Sequence, residues 1–208
     1  MAAGSAPLSL ASLTVLAAAV AFLSPYIGCF NGLNDHCGNG KKDTLSHLSR
    51  DGITLRLFIF SSTVLAVCLY VVQIALYRDA HRRRLTDSAW FGGPVLFIAI
   101  CVSPLIVGAF LMCPIGAVSH AVHVVMASVM IGLSSLTTFA ILWLTYQRTV
   151  PRARIIVAVI SALMSAYLLV LMMISCECGM RIGYAVLESL IGFSISYLNL
   201  SMYADTLG

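Results

Sequence analysis

The stretch 55–84, LRLFIFSSTVLAVCLYVVQIALYRDAHRRR, decides the fold. From Leu57 to Tyr77 it holds no charged residue, and then four arginines arrive within seven positions. A helix crossing the hydrocarbon core of a bilayer needs roughly 20 mostly apolar residues. This stretch therefore reads as one span followed by a basic interfacial edge. Barrel strands would alternate in polarity over about ten residues, which these do not. A helix also satisfies its own backbone polar groups within the segment, as lipid demands.

Outward from that stretch, similar blocks recur near 8–28, 54–77, 91–112, 117–146, 153–175 and 182–203. Hydrophobic residues make up 60% of the 208, charged residues only 10%, and the mean hydropathy is +0.98. The expected fold is all-α: a polytopic integral membrane bundle of six transmembrane helices forming one domain over 1–208. Almost nothing remains for a soluble domain, so any chemistry belongs to the spans or to the loops at the two surfaces. The first block lacks a basic n-region and runs about 20 residues, so it reads as a retained helix and not a cleaved signal.

Orientation follows from the basic residues. Arg78, Arg82, Arg83 and Arg84 lie between the second and third blocks, and Arg148, Arg152 and Arg154 between the fourth and fifth. These two short segments hold seven of the twelve Lys and Arg residues. The positive-inside rule weights short loops most, which places both of them, and both termini, in the cytosol. Their main consequence is topology, with attraction to anionic lipid as a secondary one. Nothing resembles a nucleic-acid patch of basic and aromatic residues.

The cysteines sort the same way. Cys29, Cys37, Cys113, Cys176 and Cys178 fall on the opposite, lumenal face, while Cys68 and Cys101 lie in mid-span. Disulfides persist in oxidising compartments, and five is an odd number, so at least one of these thiols is left over. The sequon Asn199-Leu200-Ser201 lies near the cytosolic end of the last block, out of reach of glycosylation.

Ionisable residues inside a membrane are functional candidates by default. His120 and His123 open the fourth block three residues apart, and Glu188 lies about two turns into the sixth. With Asp35, His36 and Glu177 from the lumenal loops they form one expected polar cluster at the lumenal interface. A buried carboxylate beside an imidazole is an acid/base pair; the bland reading is a polar contact between helices. Ser134, Ser135, Thr137, Thr138, Ser194 and Ser196 read as packing residues, and Pro104 and Pro114 as kinking or ending the third helix. Neither a metal nor a cofactor is expected, because the spans supply only His120 and His123 as ligands. Cys176-Glu177-Cys178 has poor geometry for one tetrahedral ion.

A family resemblance is carried by Cys176-Glu177-Cys178-Gly179, by Ala185-Val186-Leu187-Glu188, by the later Asp205, and by His36-Cys37-Gly38 with a histidine opening the fourth helix. These resemble the six-span family that includes the Golgi GPI-lipid remodelling proteins, the amino-terminal part of the yeast GPI-ceramide remodelling protein and the damage-regulated autophagy modulators. The GPI-remodelling branch is the most similar. The resemblance covers the layout of nearly the whole chain, but specific matches are few.

It implies a multi-pass protein of the Golgi or endoplasmic reticulum membrane, with the lysosomal or plasma membrane as the alternative. Its partner would be a membrane lipid or a GPI-anchored protein. The step implied is reacylation of a lyso-GPI by a membrane acyltransferase, with His120, His123, His36 and Glu188 as catalytic residues and Asp35, Glu177 and Tyr184 as lipid contacts. It also favours a Cys37–Cys176 disulfide, with Cys29, Cys113 and Cys178 as alternatives. The residues alone show no Gly-x-Ser-x-Gly elbow and no nucleophile beside a base. A non-catalytic lipid-binding or adaptor protein of the autophagy-modulator or plasma-membrane branch therefore stays open.

Overall fold

A computed structural model describes residues 5–33, 45–49, 52–85, 93–111, 120–145, 151–174 and 183–207. Among them the chain is all-helical: α1 (Ser5–Phe30), α2 (Leu45–Leu48), α3 (Gly52–Arg82), α4 (Pro94–Leu111), α5 (His120–Thr145), α6 (Arg152–Ile174) and α7 (Gly183–Ala204). Five of these helices, α1, α3, α5, α6 and α7, are long and apolar enough to cross a membrane. Helix α4 is a shorter apolar helix; its 18 residues reach about 27 Å at the helical rise, close to the thickness of a hydrocarbon core. The structure fits a multi-pass membrane protein whose large apolar side chains, such as Leu105, Trp143 and Leu163, face outward.

Successive long helices run in opposite directions, as their contacts show. Leu10 at the start of α1 packs on a cluster holding Leu76 of α3, Leu96 of α4, Leu144 of α5, Ala158 of α6 and Met202 of α7. The far end is closed by Leu45, Leu48, Phe58 and Ala185, joined by Tyr26, Cys29 and Leu111. Every arginine of the described residues except Arg56 belongs to the first end. Cys29, at the other end, is disulfide-bonded. Its partner, like the expected Cys37–Cys176 pair, lies outside the described residues.

Three expectations are corrected by the element boundaries. The second helix does not stop at Tyr77 but continues to Arg82. Its 31 residues make about 46 Å, so the last turns extend past any hydrocarbon core. Charge holds those turns together: Arg83 pairs with Asp79 at 2.8 Å one turn earlier, His81 stacks on Tyr77, and basic groups suit the negative end of the helix dipole. The helix then stops in a Schellman turn, with Leu85 N–H bonded to Ala80 O and Arg84 N–H to His81 O, and with Arg84 left-handed at φ 55°.

Secondly, the stretch 29–53, which reads by its polar, Gly- and Asn-rich sequence as the largest lumenal loop, is not only loop. Phe30 belongs to α1, which ends in the same kind of turn at Gly32 (φ 66°), and α2 follows at Leu45. Thirdly, Pro104 does not end the third block, because α4 runs through it to Leu111; Pro114 lies outside the described residues.

Small residues set the tightest crossing. Ala17, Ala18 and Ala21 of α1 are buried with Leu65 of α3. A Cβ on Gly28 would meet Thr54 Cγ2 at 2.1 Å. In lipid, helices associate through such close van der Waals fit and not through hydrophobic burial.

Candidate functional site

Helices α1, α3, α4, α5 and α7 enclose a cavity of about 150 Å³. On α3 it is lined by Phe58, Ser62, Leu65, Ala66 and Leu69, and on α7 by Glu188, Ile191, Gly192, Ile195 and Ser196. Residues at spacings of three and four share one helix face, so each set is a stripe parallel to its helix. Helix α5 adds a third stripe through Ala127, Met130, Ile131 and Ser134, while Phe22 and Phe110 close the sides. The cavity thus runs along the helix axes, and among the described residues Glu188 is the only ionisable side chain on its wall.

Glu188 sits there because α7 begins at Gly183, which puts its carboxylate one to two turns inside the helix. Oε2 accepts the backbone N–H of Leu45 at 2.7 Å, the first residue of α2. That short helix docks because Leu45 and Leu48, three residues apart, both bury into the cluster with Phe58 and Ala185. Leu45 also lines the cavity, so α2 forms its roof. Beside Glu188, the Ser189 hydroxyl donates to Ala185 O at 2.8 Å and lies 3.0 Å from the Tyr26 hydroxyl.

The expected cluster is assembled only in part. Glu188 takes the expected place on a cavity. His123 is buried with its ring 5.1 Å from that of Phe110, a residue of the cavity wall, but is not itself on that wall. His123 is on the same face of α5 as the Ala127–Ser134 stripe, one turn before its first residue on the cavity wall. His120 begins α5, and its side chain, with Asp35, His36 and Glu177, lies outside the described residues. Tyr184, expected as a lipid contact, is packed with Ile131, Leu168, Ile191 and Ile195 and is not on the cavity wall. On α7 it lies four residues before Glu188 but buries towards α5 and α6.

The packing expectation for the hydroxyls divides. Thr137 and Thr138 are fully buried and bond back to their own helix, while Gln73 donates to Thr137 at 3.3 Å and Asn199 to Thr138 at 2.9 Å. Ser135 meets Ser165 across helices at 3.4 Å. Ser134 and Ser196 instead line the cavity, and Ser194 is exposed and bonded within α7. Asn199 is fully buried, which removes the one sequon from any glycosylation.

Two features escaped sequence reasoning. The Leu45–Glu188 bond joins residues 143 apart through a loop whose only signal is the Leu45-Ser46-His47-Leu48 pair of leucines. At the other end, Arg154 of α6 forks onto Asp205 and also donates to Ser201 O at 2.7 Å. The guanidinium holds the Asp205 carboxyl below the usual carboxylate range, against a smaller opposing effect of burial.

No family model matches the chain, and no curated protein or solved structure matches it.

Proposed function

We propose that the chain is a lipid-remodelling protein of secretory-pathway membranes, acting on GPI-anchor lipid at the step that returns an acyl chain to a lyso-GPI. The observation that carries this reading is the placement of Glu188, among the described residues the one ionisable group on the wall of an apolar cavity between apolar helices. An intramembrane carboxylate has a high cost unless it is used, and a carboxylate accepts hydrogen bonds from hydroxyls at up to about four lone-pair sites. In the reaction, the lyso-lipid hydroxyl oxygen bonds to the acyl carbon of a donor ester while the donor's own acyl–oxygen bond breaks. The hydroxyl proton leaves through a base and returns on the departing alcohol. Glu188 is the group placed to accept that hydroxyl.

A second reading is favoured by a specific observation. Among the described residues no imidazole reaches the cavity, and one Glu188 oxygen already holds the Leu45 N–H. Both suit a protein that binds the lipid without transforming it.

The test is Glu188→Gln in cells lacking the protein, with the lipid chains of GPI-anchored proteins analysed by mass spectrometry. Normal expression with loss of remodelling is expected, since a neutral amide costs less to bury than a charge. Full restoration of remodelling by this variant would overturn the reading.

A further inference from the structure

We infer that Ser62 and Glu188 form a nucleophile–base pair, in which the Ser62 hydroxyl carries the acyl group between a donor lipid and its acceptor. The inference rests on the remodelling reading for its reaction and on the register of three helices for its geometry. Helices α3, α5 and α7 run the same way, and two bonds fix their heights. Gln73 of α3 donates to Thr137 of α5 at 3.3 Å, and Asn199 of α7 donates to the next residue, Thr138, at 2.9 Å. Ser62 precedes Gln73 by as many residues as Glu188 precedes Asn199, about 16 Å at the helical rise. The two side chains therefore lie at one depth, to within about 1.5 Å, the rise of one residue. The other end agrees: Phe58 and Ala185 pack in one cluster, with Ser62 one turn beyond the first and Glu188 nearly one turn beyond the second.

Both residues line the same cavity, and α3 packs directly on α7, with neighbouring axes about 8–10 Å apart. A cavity of about 150 Å³ holds a benzene-sized group, enough for an ester carbonyl and the carbons beside it. Ser61 and Thr63, on either side of Ser62, donate to carbonyls of their own helix. Ser62 has no hydrogen-bond partner among the described residues, so its hydroxyl is available on the wall. The other wall hydroxyls are not placed for this role. Ser196 donates to Gly192 O at 2.8 Å, and Ser134, one turn before Thr138, lies about two turns deeper than Glu188. In the first half-reaction Ser62 Oγ bonds to the acyl carbon of a donor lipid ester and the donor's acyl–oxygen bond breaks. The Ser62 proton passes through Glu188 to the departing alcohol. In the second, the lyso-lipid hydroxyl bonds to the same carbon, the Ser62 ester bond breaks, and the proton returns through Glu188 to Ser62 Oγ. No imidazole is needed, and the pair escapes sequence reasoning because its members come from different helices.

The test has two arms. The purified full chain in nanodiscs is treated with phenylmethylsulfonyl fluoride, a benzene-sized reagent that sulfonylates an activated serine with loss of fluoride. Peptide mass spectrometry should find the adduct on Ser62, at least tenfold weaker in Glu188→Gln. In cells lacking the protein, Ser62→Ala should keep the melting temperature, having no bond to lose, and abolish remodelling. Ser62→Cys should hold the acyl group as a thioester that neutral hydroxylamine releases. An adduct absent from Ser62, or undiminished in Glu188→Gln, would overturn the inference, as would full remodelling by Ser62→Ala. Remodelling lost in Glu188→Gln but intact in Ser62→Ala sinks the pair and leaves the remodelling reading standing. A Glu188-dependent adduct on Ser62, with remodelling intact in both variants, leaves the pair standing for another acyl acceptor and sinks the remodelling reading alone.

Discussion

At the scale of single residues, Glu188 shows how a side chain's importance is legible while its partner is not. A lone carboxylate in an apolar span is visible in any reading of the sequence. Its partner is a backbone N–H in a distant loop, which carries no sequence signature beyond two leucines. The chemistry of that bond makes a prediction. Glu188→Gln keeps a carbonyl oxygen for the Leu45 N–H, whereas Glu188→Leu leaves a partly buried donor unsatisfied, at a cost of about 1–3 kcal/mol. Amide exchange at Leu45 should therefore accelerate in Glu188→Leu and stay near the parent rate in Glu188→Gln; equal exchange in both would show that apolar packing alone holds α2. Gly192 gives a second prediction at this scale. A Cβ there would lie 2.1 Å from the Phe22 ring, which is itself packed edge-on against Phe193 at 5.0 Å. Gly192→Ala should destabilise by about 1–3 kcal/mol, and adding Phe22→Leu should recover part of that loss. Thermal unfolding of the two single variants and the double variant decides it, since purely additive losses would mean the ring is not the obstacle.

Between elements, what holds the helices is a mixture of close approach and a few polar ties. The long helices were legible because their apolar runs exceed what any soluble helix carries. The end of α3 was not, because a run of arginines reads as loop until the Arg83–Asp79 pair and the His81–Tyr77 stack are seen to continue the helix. The four residues of α2 are too few for any periodicity to declare itself. Nor does sequence say how far along α5 the cavity reaches: His123 is on the same face as Ala127, Met130 and Ser134, one turn before the first residue of that stripe on the wall. The tie between α6 and α7 has a pH dependence whose sign is fixed. Asp205 is held below its ordinary range by Arg154, so its contribution is fully present above the unfolded carboxylate value of about 3.9. It disappears as pH falls through the lower folded value. Asp205 is largely exposed, so salt also weakens the pair. Asp205→Asn should lower the melting temperature at pH 7, with a difference that shrinks in high salt and vanishes at the acid end. A difference that persists at low pH would show that the loss comes from packing and not from charge.

For the molecule as a whole, the two ends differ in chemistry in a way that makes topology testable. One end gathers the arginines of α3 and α6 with Asp205 beyond α7; the other gathers Leu45, Glu188 and the disulfide-bonded Cys29. Positive-inside sorting puts the first in the cytosol, and oxidised cysteine suits a lumenal second. The open question is α4, because its 18 residues reach about 27 Å against a core of about 30 Å. Its contacts argue that it crosses. Leu96 near its start packs in the cluster at the arginine end, and Leu111 at its close packs against the cluster around Leu45. A shortfall of a few ångströms is met by local thinning of the bilayer at modest cost. Gly/Ser-rich inserts carrying Asn-x-Thr after residue 39 and after residue 115 should both be glycosylated, while Leu85→Cys should react with an impermeant maleimide from the cytosolic side. If the insert after 115 stays unmodified while the one after 39 is glycosylated, α4 turns back without crossing. Helix α5 would then begin in the cytosol, and His120 would not share a membrane face with the loop that follows residue 39.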